Sequence, residues 1–129
     1  MKKIITFGTF DVFHIGHLRI LERAKSLGTH LIVGVSTDEL SLSKKSRNPI
    51  YSQDERLEII SGLKSVDLTF FEKSLDLKRD YIKQYDADVL VMGNDWEGKF
   101  DALKDICEVR YFERTPSIST TAIIELIKK

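Results

Sequence analysis

The stretch Gly8-Thr9-Phe10-Asp11-Val12-Phe13-His14-Ile15-Gly16-His17 decides how the rest of the chain is read. The apolar run before it, Lys3 to Phe7, predicts a buried first strand. Gly8 then opens the stretch, at a point where the backbone turns or lets a ligand come close. Downstream, Leu18, Leu21, Ala24 and Leu27 carry helical spacing, so an amphipathic helix begins near Ile15. His14 and His17, three apart across Gly16, fall on one face of its first turn. The unpaired N–H groups and positive dipole end of such a turn attract anions. A single histidine at a helix start is commonly a cap or a solvated group. Two of them, with a glycine between and a strand-then-glycine before, point to a phosphate site.

Composition limits the partners. With 129 residues, the chain fits one domain, residues 1–129, and buries a core without disulfides or metals. Twenty Lys and Arg balance twenty Asp and Glu, so no broad surface for nucleic acid or membrane is expected. The lone cysteine, Cys107, lies in a strand-like run and reads as core filler, not as a nucleophile. Met1-Lys2-Lys3 leads into only a few apolar residues, and no run has the length of a membrane span. A cytoplasmic protein is expected.

Five apolar, β-branched runs predict strands: Lys3 to Phe7, Leu31 to Ser36, Val66 to Phe71, Ala87 to Met92 and Cys107 to Phe112. Helical patterns fall between or after them, at Ile15 to Leu27, Ser52 to Lys64, Leu75 to Tyr85, Lys99 to Lys104 and Thr120 to Lys128. Strands alternating with helices predict an α/β fold with a parallel sheet covered on both faces. Ser41 to Pro49, SLSKKSRNP, is polar and basic and ends in proline, which predicts a mobile loop. Ser52 and Glu55 fit a capping box. Ligands on doubly wound sheets bind beyond the carboxyl ends of the strands, where the winding reverses.

GTFDVFHIGH resembles the first motif of the HIGH-motif nucleotidyltransferases, a superfamily that includes the class I aminoacyl-tRNA synthetases. Chain length leaves no room for the tRNA-gripping parts of a synthetase. The nearer resemblance is to the small cytidylyltransferases, above all the glycerol-3-phosphate cytidylyltransferases. The string Asp95 to Asp101, DWEGKFD, and the hydroxyl-rich Arg114 to Thr121, RTPSISTT, also resemble their segments. The resemblance implies a Rossmann-like sheet of order 3-2-1-4-5, with the segments after strands one, four and five meeting at one rim.

It further implies a reaction. CMP passes from CTP to sn-glycerol 3-phosphate, giving CDP-glycerol and pyrophosphate, for teichoic-acid or other glycerol-phosphate polymer synthesis. His14, His17 and Lys44 are the expected catalytic residues, with Lys45 a possible substitute for Lys44. Gly8, Thr9, Phe10, His14, Gly16, His17, Gly93, Arg114, Thr115, Ser119 and Thr120 are expected at the nucleotide. Asp11, Asp38, Lys44, Arg56, Asp95 and Trp96 are expected at the substrate, Asp11 orienting either a substrate hydroxyl or a metal-bound water. Mg²⁺ is expected to arrive with CTP, held mainly by phosphates and water and by no dedicated protein cage. A homodimer is also implied.

Two departures mark this chain. Asn94 stands where relatives commonly carry an acidic residue, and Ser117 replaces the glycine of RTxGISTT. Adenylyltransferases tend to end ISST followed by an arginine, and the absence of that pattern favours CTP. The alternatives are an adenylyltransferase or a cytidylyltransferase for another phosphorylated acceptor, and a nucleotide-binding module without turnover.

Overall fold

The computed structural model describes residues 1–113 and 119–128. Five parallel strands form one sheet: β1 (Lys3–Gly8), β2 (His30–Ser36), β3 (Leu68–Glu72), β4 (Val89–Gly93) and β5 (Glu108–Phe112). Their order is β3-β2-β1-β4-β5, as expected. β1 is central, with Ile5 beside Ile32 on one flank and Leu90 on the other. Winding therefore reverses between β1 and β4, and the chain segments leaving those two strands part to open a crevice.

Burial follows the pleat. Leu31, Val33 and Val35 of β2 and Val89 and Val91 of β4 join one core cluster with Leu21, Ala24 and Ile60. The alternate residues Ile32, Leu90 and Met92 join the second cluster with Ile82 and Leu103. Leu21 and Ala24 come from α1 (Ile15–Ser26), and Ile60 comes from α3 (Gln53–Ser61). Ile82 belongs to α4 (Lys78–Gln84), which follows a 3-10 turn at Leu75–Leu77. Both faces of β1 are therefore covered, which is why its sequence is a continuous apolar run. Gly34 in β2 is a packing glycine. A Cβ there would lie 2.6 Å from the Phe7 ring, which meets Phe70 edge-on with centroids 5.8 Å apart.

Two expectations are corrected. The segment read as a mobile loop from Ser41 is largely α2 (Asp38–Lys45). Its reasons are local: Thr37 caps it by accepting the Leu40 N–H, and Asp38 and Glu39 sit in the first turn. Lys44 and Lys45 sit in the last turn, and Ser46 closes the helix in the left-handed region. Leu40 and Ser41 are buried. Lysines that looked like loop charge are helix residues with fixed directions. The helix expected at Lys99 to Lys104 is a 3-10 segment, Asp101–Asp105.

Candidate active site

Beyond the carboxyl ends of the strands lies a cavity of about 480 Å³. Its wall draws on the segment after β1, on α1 and α2, on the segment after β4, and on the start of α5 (Thr120–Lys128). Gly8, Thr9, Phe10, Asp11, His14, Gly16 and His17 all line it. So do Lys44, Lys45, Gly93, Asp95, Trp96, Ser119 and Thr120. The sequence-separated segments singled out above thus meet at one rim, as far as the described residues extend. Arg114, Thr115 and Ser117 lie outside the described residues.

The two histidines serve as caps and as site groups at once. His14 is the N-cap of α1, and its Nδ1 accepts the Gly16 N–H at 3.0 Å. Three residues on, the His17 Nδ1 accepts the His14 N–H at 3.2 Å, completing a capping box built from imidazoles. The rings stack with centroids 3.8 Å apart. With Nδ1 accepting in both, the ring proton resides on Nε2, so each ring is an Nε2–H donor. Each ring is oriented by its own backbone N–H, Gly16 for His14 and His14 for His17, and both rings line the cavity.

The loop between β1 and α1 is held in an uncommon shape. Phe10 and Val12 have φ of 56° and 48°, the left-handed region that side chains other than glycine rarely adopt. Gly8 is required beneath this turn, since a Cβ there would lie 2.9 Å from the folded-back Phe10 ring. Asp11 braces the loop. Its carboxylate accepts Ile50 N–H at 2.7 Å and Tyr51 N–H at 2.9 Å, and its carbonyl accepts the Thr120 hydroxyl at 2.8 Å. A role orienting a substrate hydroxyl or a metal-bound water was expected. The structure gives Asp11 a bracing role, each carboxylate oxygen accepting one backbone N–H, while the residue still lines the cavity.

Arg56 and Asp38 are likewise placed differently from expectation. Arg56 is fully buried and lies outside the cavity wall. Its guanidinium donates to the carbonyls of Thr9 and Ser36, each at 2.8 Å, to Tyr51 O at 3.0 Å and to Asp38 Oδ1 at 2.6 Å. Five donors in a planar fork suit this convergence of strand ends and helix starts. Asp38, away from the cavity wall, is the partner of that fork.

Lys44 reaches the cavity from the last turn of α2, with its Nζ 2.9 Å from Ser36 Oγ. Burial lowers its pKa to about 8; Glu72 opposes that shift, and Lys78, Lys45 and Arg56 add to it. Trp96 belongs to the 3-10 turn Asn94–Trp96 and packs on Phe100, with centroids 5.5 Å apart, while lining the cavity. Ser119 Oγ accepts the Ala122 N–H at 3.0 Å, capping α5. Cys107 stays half-buried with its thiol pushed up by burial, the state of a core residue.

Some features were not anticipated. Arg19 and Arg23 line the cavity from α1, and Arg23 sits 4.3 Å over the Phe112 ring. Their spacing of four, continuing the helix from His17, was the available signal. Behind the wall, Glu72 and Lys78 form a buried ion pair. Among the described residues no group of three His, Cys, Asp or Glu is arranged to hold a metal ion.

Known proteins resemble this chain over nearly its whole length. Glycerol-3-phosphate cytidylyltransferase of Bacillus subtilis is 50% identical over 127 residues, which cover 98% of this chain and 98% of that protein. The Staphylococcus aureus protein of the same name is 46% identical over 123 residues, 95% of this chain and 92% of its own length. A lipopolysaccharide core biosynthesis protein from Thermoplasma volcanium superposes with a TM-score of 0.75 at 25% identity. That match covers 89% of this chain and 97% of the other. The cytidylyltransferase-like family matches residues 5–126, nearly the whole sheet and its rim. On that match and those identities, the chain belongs to the cytidylyltransferase-like family.

Proposed function

We propose that this chain is a glycerol-3-phosphate cytidylyltransferase, a single catalytic domain that makes CDP-glycerol and pyrophosphate from CTP and sn-glycerol 3-phosphate. The observation that carries the chemistry is the stacked histidine pair in the cavity wall, both rings held by backbone N–H groups at Nδ1. The acceptor is supported by the 50% identity to the Bacillus subtilis enzyme of that name.

An oxygen of the acceptor phosphate forms a bond to the α-phosphorus of CTP. The bond from that phosphorus to its bridging oxygen breaks on the opposite side, and the electron pair leaves with pyrophosphate. A phosphate monoester is already an anionic nucleophile, so no strong base and no covalent intermediate are required. Positioning and charge stabilisation do the catalysis. The Nε2–H groups of His14 and His17 donate to phosphate oxygens as charge builds there. Lys44 adds its ammonium from α2. Ser119, whose oxygen caps α5, donates its one hydroxyl hydrogen to an oxygen of the β- or γ-phosphate. Arg114 and Thr115 belong to the same segment in sequence. Asp11, Arg56 and Asp38 act as positioning residues that hold the rim.

Among the described residues no group of three His, Cys, Asp or Glu is arranged around one point. Mg²⁺ entering on the triphosphate, held by phosphates and water, is compatible with that arrangement. Among the described residues no helix is long and apolar enough to cross a membrane. Action in the cytoplasm as a homodimer, without nucleic acid, completes the reading, and light scattering on the purified protein tests the dimer.

The direct test is phosphorus NMR of the protein with CTP, glycerol 3-phosphate and Mg²⁺. CDP-glycerol and pyrophosphate are expected to appear together in equal amounts. Faster product formation with ATP than with CTP at matched concentrations would overturn the cytidylyl assignment.

A further inference from the structure

Glu72, the last residue of β3, is a fully buried carboxylate between two lysines. One oxygen pairs with Nζ of Lys78, the first residue of α4, itself only 2% exposed. That ammonium also lies 4.4 Å over the ring of Phe7, a cavity-wall residue. The other carboxylate oxygen accepts the Ser36 hydroxyl at 3.4 Å, and Ser36 Oγ accepts Lys44 Nζ at 2.9 Å. The direction of this chain is forced. An ammonium only donates and a carboxylate only accepts, so the single hydroxyl hydrogen of Ser36 points to Glu72 and its lone pair to Lys44.

We infer that Ser36 and Glu72 are positioning residues for Lys44: the hydroxyl links the buried carboxylate to the ammonium and fixes that ammonium on the cavity wall. This rests on the reading of Lys44 as a phosphate-contacting group. A lysine on a four-carbon stem is otherwise a roaming charge with rotatable donors. The charged groups facing Lys44 are Glu72 from β3, Lys78 from α4, Lys45 from its own helix and Arg56 from α3. The three cations disfavour its protonated form, and Glu72 favours it. One buried carboxylate thus keeps a half-buried lysine both charged and aimed.

The test is a double-mutant cycle read as kcat/KM for CTP by pyrophosphate release, using Ser36→Ala, Lys44→Met and the double variant. Ser36→Ala leaves the Glu72–Lys78 pair intact and is expected to lower kcat/KM by about tenfold, the scale of one hydrogen bond to a charged group. In the Lys44→Met background the same change is expected to cost nothing further. An equal loss in both backgrounds would overturn the inference, as would a Ser36→Ala variant with unaltered kcat/KM. Full activity of Lys44→Met would instead sink the phosphate-contact reading on which the inference stands. Glu72→Gln supplies an independent readout. Its alkaline limb in the pH profile of kcat/KM is expected below that of the parent protein, and an unmoved limb in the folded variant would refute the link.

Discussion

The cavity has two sides built on different principles. On the β1–α1 side, His14 and His17 are oriented by N–H groups two and three residues away along the chain. On the α2–α3 side, the braces that tie this side to the β1–α1 loop span long sequence distances. Arg56 reaches Thr9, 47 residues away, and Asp11 reaches Ile50 and Tyr51, 39 and 40 residues away. The first side is a local motif that a helix start can build almost alone. The second is a buried polar network that exists only once the strand ends have assembled. The contrast teaches that side chains at a helix start can be oriented locally, while the braces that hold the rim around them cannot.

The largest effect that would test this contrast is on stability. Arg56→Ala strips the hydrogen bonds from three backbone carbonyls and leaves Asp38 without its buried partner. A loss of about 3–5 kcal/mol is expected, from orphaning those carbonyls and emptying the volume of a fully buried side chain, since Asp38 itself is 41% exposed. Urea unfolding measures it, and a change below 1 kcal/mol would erase the claimed difference between the two sides.

His17→Ala probes the local side, and its main effect is expected on rate. Turnover should fall by at least ~10²-fold, as for loss of one preorganised donor, with only about 1 kcal/mol of stability lost with the cap. Pyrophosphate release and a melting curve on the same sample separate the two. Near-normal turnover in the folded variant removes His17 from the mechanism.

A pH series sharpens the comparison next, because Lys44 is the α2 side's contribution to the proposed chemistry. With its pKa lowered to about 8, chiefly by burial, the ammonium loses its proton as pH rises through that value. The rate constant kcat/KM for CTP is expected to fall by about tenfold per unit above the limb. Stability moves the other way. The protonated lysine weighs against folding below pH 8, and that penalty fades as pH climbs from 8 toward 10.5, where the unfolded chain still holds the proton. Activity and stability diverging over the same window is a signature that general alkaline denaturation does not produce.

The smallest effect belongs to an ion pair outside the site. Lys25 and Asp67 meet at 2.7 Å with both side chains partly exposed. Lys25→Ala is expected to cost under about 1 kcal/mol by urea unfolding, since solvent screens such a pair. A loss as large as that for Arg56 would mean that burial is not what separates the networks.

Much of this protein was legible without coordinates. Apolar, β-branched runs placed the five strands, and helical spacing placed most of the helices. Ser52 with Glu55 marked the start of α3, and both reciprocal hydrogen bonds of that cap are present. The hydroxyls before α5 marked its start, with Ser119 supplying the cap. These readings succeed because caps and amphipathic faces are decided by neighbours within four residues. The same reasoning misjudged Ser41 to Pro49. Its charges suggested a loop, while Thr37, the acidic first turn and the burial of Leu40 and Ser41 set a helix. The capping Thr37 was a local signal passed over, and the burial of Leu40 and Ser41 is the part that no eight-residue pattern reveals.

The sequence by itself determined the strands, the paired imidazoles and the kind of ligand they would attract, because each depends on spacing along the chain; the strand order was implied by the family resemblance. Only the tertiary structure decided that Asp11 and Arg56 are braces, that Asp38 serves Arg56, and that Glu72 sits behind Lys44. A carboxylate or guanidinium has the same formula whether it meets a ligand or a distant backbone group. Which one it meets depends on where strand ends and helix starts converge.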